Sequence, residues 1–499
     1  MAPRARRPAR SSKPAGRRRR TRPSAPAPGP PARAAALRET ARRGHAEDLT
    51  PILVALSDPV PGIRQTAAIA LGILGDPRAA STLATALEDP DPAVRASVAE
   101  ALATSGRPES RLALERALSD RDSRVRAKAA EALASFRSPE SVAPLAALVQ
   151  DPSAEVRPAV ARALGRIGTV EARAALEQIL SDPSDRVRRE AVLGLARGGA
   201  PEVMPVVRQM LHDPARRVRA AAAVVAGRYR DREAVPRLLE MLSSPETWEK
   251  PSVLVALGRI GDRTAEPAVA EAVQSPQHWI RVCAVHALGD LGDREARPVI
   301  LRALGDPAWQ VRGAAALALG LVGSSEDLGT LLECLRDHHP WPRRGATYAL
   351  GNLGLTVAAP RIREELSDRA AEVRLAAIWA LGRLGDDGAR EELVHLLRNG
   401  PSSLESPGPS EVGSETLRSD AETRLFDAVV QALGRLPHGP DDPFVQGALI
   451  AARSQLSDEE LDRGARLPLP ELSADRPSPT LRALFEGAIA VSFDEEDGA

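Results

Sequence analysis

The residues of this 499-residue chain that could do chemistry are few, and their spacing limits what they can do. Cys283 and His286 stand one helical turn apart, but one Cys–His pair is only half of a metal site. His338 and His339 adjoin in a turn, where neighbouring residues do not aim two imidazoles at one ion. Cys334 completes no C-x-x-C pair, and no phosphate loop, dinucleotide fingerprint or nucleophile elbow occurs. A non-enzymatic chain with no cofactor and no metal is therefore expected. What remains is the chemistry of recognition. Every tryptophan falls between residues 248 and 379, the run Arg17, Arg18, Arg19, Arg20 with Arg22 crowds the N-terminus, and further basic residues recur at one fixed spacing.

That spacing is 31 residues. Anchors run from Asp58 to Asp368 in unbroken steps of 31, with Ser244 and Ser275 the only departures from aspartate. Six residues after each anchor stands a basic residue, from Arg64 to Arg374, with Lys250 the single lysine. Such a series defines a repeat protein, whose function lies where the repeats differ. Within a unit the apolar positions are +5, +9, +12, +13 and +16 from the anchor, for example Val311, Ala315, Ala318, Leu319 and Val322. This is one face of a helix, not a strand. A second apolar pair at −6 and −2, such as Leu83 and Leu87, marks a preceding helix of about 11 residues. Between the two sits Asp-Pro, a helix stop followed by a capped start. Helices this short are unstable alone and must stack on their neighbours.

The pattern D-P-x-x-x-V-R-x-x-A-x-x-A-L-G, closed by a glycine break, resembles the HEAT repeat, and its short period is similar to the bacterial variety named for phycobilisome lyases. The resemblance spans roughly residues 46–398. It implies an all-α, right-handed superhelical solenoid whose Asp and Arg residues bond along the stack. Each arginine is read here as paired with the aspartate six residues before it. HEAT-like di-iron hydroxylases carry repeated His-Glu pairs, and none of the eight histidines here precedes a glutamate. HEAT-like glycosylases need a cationic concave face, whereas positions +7 and +11 here are apolar or mixed. The lyase precedent implies a bilin-lyase-like accessory role as one alternative, with no bilin site specified by these residues.

In repeats 7 to 11 the pattern changes. Trp248, Trp279 and Trp341 share position +4, and seven residues later position +11 holds Val255, His286, Leu317, Tyr348 and Trp379. The resemblance implies that second helices line the concave side, where Trp248, Trp279, His286, Trp341, Tyr348 and Trp379 would form one continuous stripe. Exposed aromatic stripes mark binding surfaces. Packing between neighbouring helices, or cover by the chain's own C-terminal segment, are the other destinations for these rings. The leading expectation is a scaffold or adaptor that holds a protein partner on this stripe.

The formal charge of zero conceals a segregation, because residues 1–43 hold fourteen Arg or Lys against Glu39 alone. Residues 1–26 lack the apolar content for a core and are read as a disordered tail. It could tether nucleic acid weakly and non-specifically, the second functional alternative. Residues 27–45 read as a degenerate capping half-repeat with Arg33 in register, and 46–398 as eleven full repeats. Residues 399–419 read as a flexible insertion of Pro, Gly and Ser, 420–438 as a closing half-repeat, and 439–499 as a helical cap with an acidic tail. No apolar run approaches the roughly 20 residues needed to span a bilayer. With no apolar leader either, a cytoplasmic monomer is expected.

Overall fold

Each repeat is built outward from its anchor. Asp89 accepts the backbone N–H of Asp91 at 2.9 Å, and Asp91 caps the helix that opens at Pro92, accepting from Ala93 at 2.8 Å. Proline is harmless there because a first-turn N–H has no helical partner. The same turn recurs at Asp120, Asp182, Asp213, Asp306, Asp337 and Asp368. The helix ends where a glycine takes the left-handed conformation, as at Gly261 with φ 73°.

The structure, a computed structural model, describes residues 29–43, 49–104, 106–197, 201–245, 247–399 and residue 432. The expectations for the basic tail with Arg17, Arg18, Arg19, Arg20 and Arg22, for the insertion from residue 400 onward, for the closing half-repeat 420–438 apart from residue 432, and for 439–499 lie outside these residues. The chain divides into two units, residues 1–148 and 149–499. Both are all-α arrays of paired helices, and no strand occurs among the described residues. In the first unit a lone helix, Pro30–Arg43, packs beside the second helix of repeat 1, Pro61–Leu74. The second unit carries the second helices of repeats 4 to 11, from Val156–Ile167 to Ala371–Leu384. Among the described residues no helix is long and apolar enough to cross a membrane.

Two helix boundaries depart from the reading of the sequence. The first helix of most repeats is a 3-10 turn leading into a short α-helix, as in Pro77–Ala79 followed by Ala80–Ala86, rather than one helix of eleven residues. Asp76 accepts the Arg78 N–H and tightens that opening turn. Repeats 4 and 7 start their second helices late, at Val156 and Lys250, because Pro158 and Pro251 fit only in a first turn. Trp248 therefore lies in the turn before its helix, not in it.

The ladder also needs correction. Arg64, Arg95, Arg157, Arg188, Arg281, Arg312 and Arg343 reach forward to the aspartate of the following repeat, 25 residues on, instead of to the carboxylate six residues behind them. Arg188 donates through Nε and Nη2 to both oxygens of Asp213 at 2.8 Å, while its Nη1 donates to the backbone oxygen of its own Asp182. Arg95 with Asp120, Arg281 with Asp306, Arg312 with Asp337 and Arg343 with Asp368 repeat this geometry. Arg33 also reaches the aspartate 25 residues on, Asp58, but through Nη1 alone. Where the anchor is Ser244, the buried Glu249 replaces it and takes Arg219 at 2.9 Å.

Second helices lie side by side along a seam of small residues. A Cβ on Gly320 would sit 2.7 Å from the Ala349 Cα, and one on Gly382 would sit 2.6 Å from the Ala432 Cα. The second contact places Ala432 where the next repeat's seam alanine belongs. Gly320→Val is expected to force the helices of repeats 9 and 10 apart and cost about 1–3 kcal/mol, read as a lower urea midpoint at unchanged slope. An unchanged midpoint would show that the seam yields.

Candidate protein-recognition surface

The aromatic residues of repeats 7 to 11 fall into two rows that the structure treats differently. The +11 row packs on itself. Leu317, Tyr348 and Ala376 form a buried cluster with Leu321 and Trp379 against it, and the Tyr348 and Trp379 rings meet edge to face at 5.1 Å. Tyr348 and His286 are each only 6% exposed. The exposed stripe expected at this row is corrected for those two residues. The physical reason is the glycine and alanine seam, which brings successive helices close enough for large +11 side chains to cover one another. Earlier in the array, where a single apolar residue has no large neighbour, Ile69 remains 47% exposed.

Burial removes any acid–base role from His286 and from Cys283, one turn before it. It pushes the Cys283 thiol up to about 12 and the His286 imidazole down to about 3, so both are neutral near pH 7. Trp379 stays half-buried with the Arg383 guanidinium 5.7 Å from its ring.

The +4 row keeps its access. Trp248 is 37% exposed, with Arg216 of the preceding repeat 5.1 Å from its ring centre. Trp279 is half-buried against the edge of His278. Trp341 is half-buried, tilted against Trp309 at 5.6 Å, and carries the Arg344 guanidinium 4.2 Å over its ring. Such cation–π pairs orient an aromatic surface while leaving its other face free.

Two members of this surface escape a reading by spacing. Trp309 sits at +3, one place out of register, and stacks on His339 at 3.8 Å with the rings nearly parallel. His339 is a helix cap: its Nδ1 accepts the Trp341 N–H at 3.2 Å. The His338-His339 pair thus serves the start of the helix Pro340–Asn352 and the stack on Trp309. The signal that could have found Trp309 is its distance of 30 residues from His339, one short of the period.

Sequence comparison matches the family of HEAT repeats over residues 25–103, 81–153, 110–189, 173–254, 252–320, 281–351 and 330–405. No curated protein matches the chain. Among solved structures, importin beta in an ammonium sulfate condition has a TM-score of 0.50 at 16% identity, covering 85% of this chain and 68% of that one. Kap95p, whose binding induces the switch loops of RanGDP to adopt the GTP-bound conformation, gives 0.50 at 14% identity, covering 86% and 68%. The CpcE and CpcF complex of phycocyanin lyase from Nostoc sp. PCC7120 gives 0.34 at 19%, covering 51% and 94%. These identities speak to fold alone.

Proposed function

Because the chain belongs to the HEAT-repeat family, we propose that it is a scaffold that holds a protein partner on the +4 aromatic row of repeats 7 to 10. The observation that supports this reading is the contrast among these residues: His286, Leu317 and Tyr348 at +11 are buried, whereas Trp248 is 37% exposed and Trp279, Trp309, Trp341 and Trp379 are half-buried. Trp379 forms the far edge of the surface, with Tyr348 packed against its ring. Large aromatic rings held by neighbouring guanidinium groups are the residue types that dominate interface energetics.

The test is capture of a partner from the native host lysate by the full chain. Trp279→Ala with Trp341→Ala is expected to lose a partner that the wild type retains at high salt, with little change in melting temperature. A large fall in melting temperature would place those rings in the core and end this reading. A second reading rests on the charge segregation in the sequence, with Arg17, Arg18, Arg19, Arg20 and Arg22 contacting nucleic acid. Nucleic acid that is released by salt, ignores the tryptophan variants and vanishes on deletion of residues 1–26 would favour it.

A further inference from the structure

Inside this surface lies a buried cation that forms no ion pair among the described residues. Arg344 is 7% exposed, its Nε and Nη2 are enclosed, and no described residue accepts a hydrogen bond from either. Among the described residues no anion is in contact with it. Trp341 presents a ring face, and burial pulls the guanidinium below its ordinary pKa against the weaker opposing influence of Tyr348 and Glu372. Glu372 forms no ion pair with it among the described residues. The same position in the adjoining repeats is Gly313 and Leu375, neither of which has an accepting side chain.

The neighbouring residue sharpens the contrast. Each of the three guanidinium nitrogens of Arg343 donates, Nε and Nη2 to Asp368 and Nη1 to the backbone oxygens of Asp337 and His338. A guanidinium stays charged in proteins and offers a fork of donors that matches one carboxylate. Leaving such a group buried and unsatisfied is costly, and functional sites are where proteins keep such costs.

We propose that Arg344 receives a carboxylate from an acidic segment of the protein partner when the Trp341 ring covering its guanidinium swings aside, with Trp309 flanking the incoming chain. The inference rests on the reading of this surface as a recognition site and specifies the chemistry of what it recognises. The chain's own acidic end, Asp494 to Asp497, is the less favoured source. Its carboxylates face competition from the fourteen basic residues of positions 1–43.

The test uses a labelled peptide with the sequence of residues 489–499, IAVSFDEEDGA, as an acidic probe carrying one aromatic ring. It is titrated into the full chain, the chain ending at residue 488, and full-length Arg344→Met. Saturable binding to the full and shortened chains alike, weakened at least tenfold by Arg344→Met, is expected. A probe whose Asp and Glu residues are replaced by Asn and Gln should lose the same affinity on the wild-type chain, which needs no protein variant. Binding to the basic N-terminal segment is unaffected by Arg344→Met and cancels in the comparison. Binding to the shortened chain only would transfer the site to the chain's own tail and overturn the assignment to a partner. Binding indifferent to Arg344→Met, or absent from the wild type, would overturn the carboxylate site. The recognition surface would survive that result if partner capture still depended on Trp279 and Trp341. The folding control is also directional: Arg344→Met removes a buried charge and should raise the melting temperature.

Discussion

Arg188→Ala is expected to destabilise the junction of repeats 5 and 6 by about 3 kcal/mol and to split the unfolding of the chain into two steps. The side chains involved are 12% and 4% exposed, so removing the guanidinium leaves the Asp213 carboxylate buried without its cation. The same substitution deletes the donor to the Asp182 backbone oxygen at 2.8 Å. In a stacked array each repeat contacts only its neighbours, so one rung is an interface term, and weakening it mid-array uncouples the two sides. Urea unfolding followed by far-UV circular dichroism reads both effects. A single transition with the wild-type midpoint would show that the ladder contributes nothing. Adding Asp213→Ala should cost far less than a second independent loss, because the two residues act as one unit.

The same rungs set the response to acid. At Asp213 burial by itself would raise the pKa, but hydrogen bonds from Arg188 and the Ala215 N–H outweigh it and hold the carboxyl below its ordinary value. Asp89, Asp120, Asp306 and Asp337 are held down in the same way. With folded values below unfolded ones, this stabilisation is complete above about pH 4 and is lost as pH falls through the folded values.

Glu365→Gln is expected to act in the opposite direction, stabilising the protein by about 2–3 kcal/mol above pH 7 and hardly at all near pH 4.5. Glu365 is 6% exposed at a place where other repeats carry apolar residues such as Ala303 and Cys334. Burial first, and the adjacent Asp368 charge second, push its carboxyl up to about 7, while Arg361 and Arg343 oppose the shift. The proton stays on Glu365 because Asp368 is held low by Arg343 and by the Ala370 N–H. The unfolded state loses this proton near pH 4.5 and the folded state near 7, so wild-type stability falls as pH rises through that window. Glutamine keeps the shape and a donor toward Asp368 while removing the titration. Melting temperatures of the two proteins from about pH 4 to 8 measure the difference, and parallel profiles would refute it.

Much of the fold was legible because stacking is local. The step of 31, the helical apolar face of Val311, Ala315, Ala318 and Leu319, and the Asp-Pro start require only the 3.6-residue period and short-range capping. Five of the first six second helices begin where the spacing puts them, at Pro61, Pro92, Ser123, Asp185 and Arg216. The sixth was displaced by Pro158, whose +7 position the repeat average conceals. The candidate surface was legible only in part. Trp248, Trp279 and Trp341 were visible as a row, while Trp309 lay out of register and Arg344 looked like one more basic residue beside Arg343.

The sequence by itself therefore determined the repeat, its two helices, the family, and the ladder residues, since each is a statement about neighbours a few residues or one period apart. The tertiary structure decided which carboxylate each arginine takes, because the distances to the aspartates six residues behind and 25 ahead depend on how one repeat is set upon the next. It also decided which aromatic row stays open. The Gly320–Ala349 approach lets Leu317 and Tyr348 pack into one buried cluster, while Trp248 stays 37% exposed. And it singled out Arg344, buried under the Trp341 ring with its Nε and Nη2 bonded to no described residue, a property no spacing along the chain expresses.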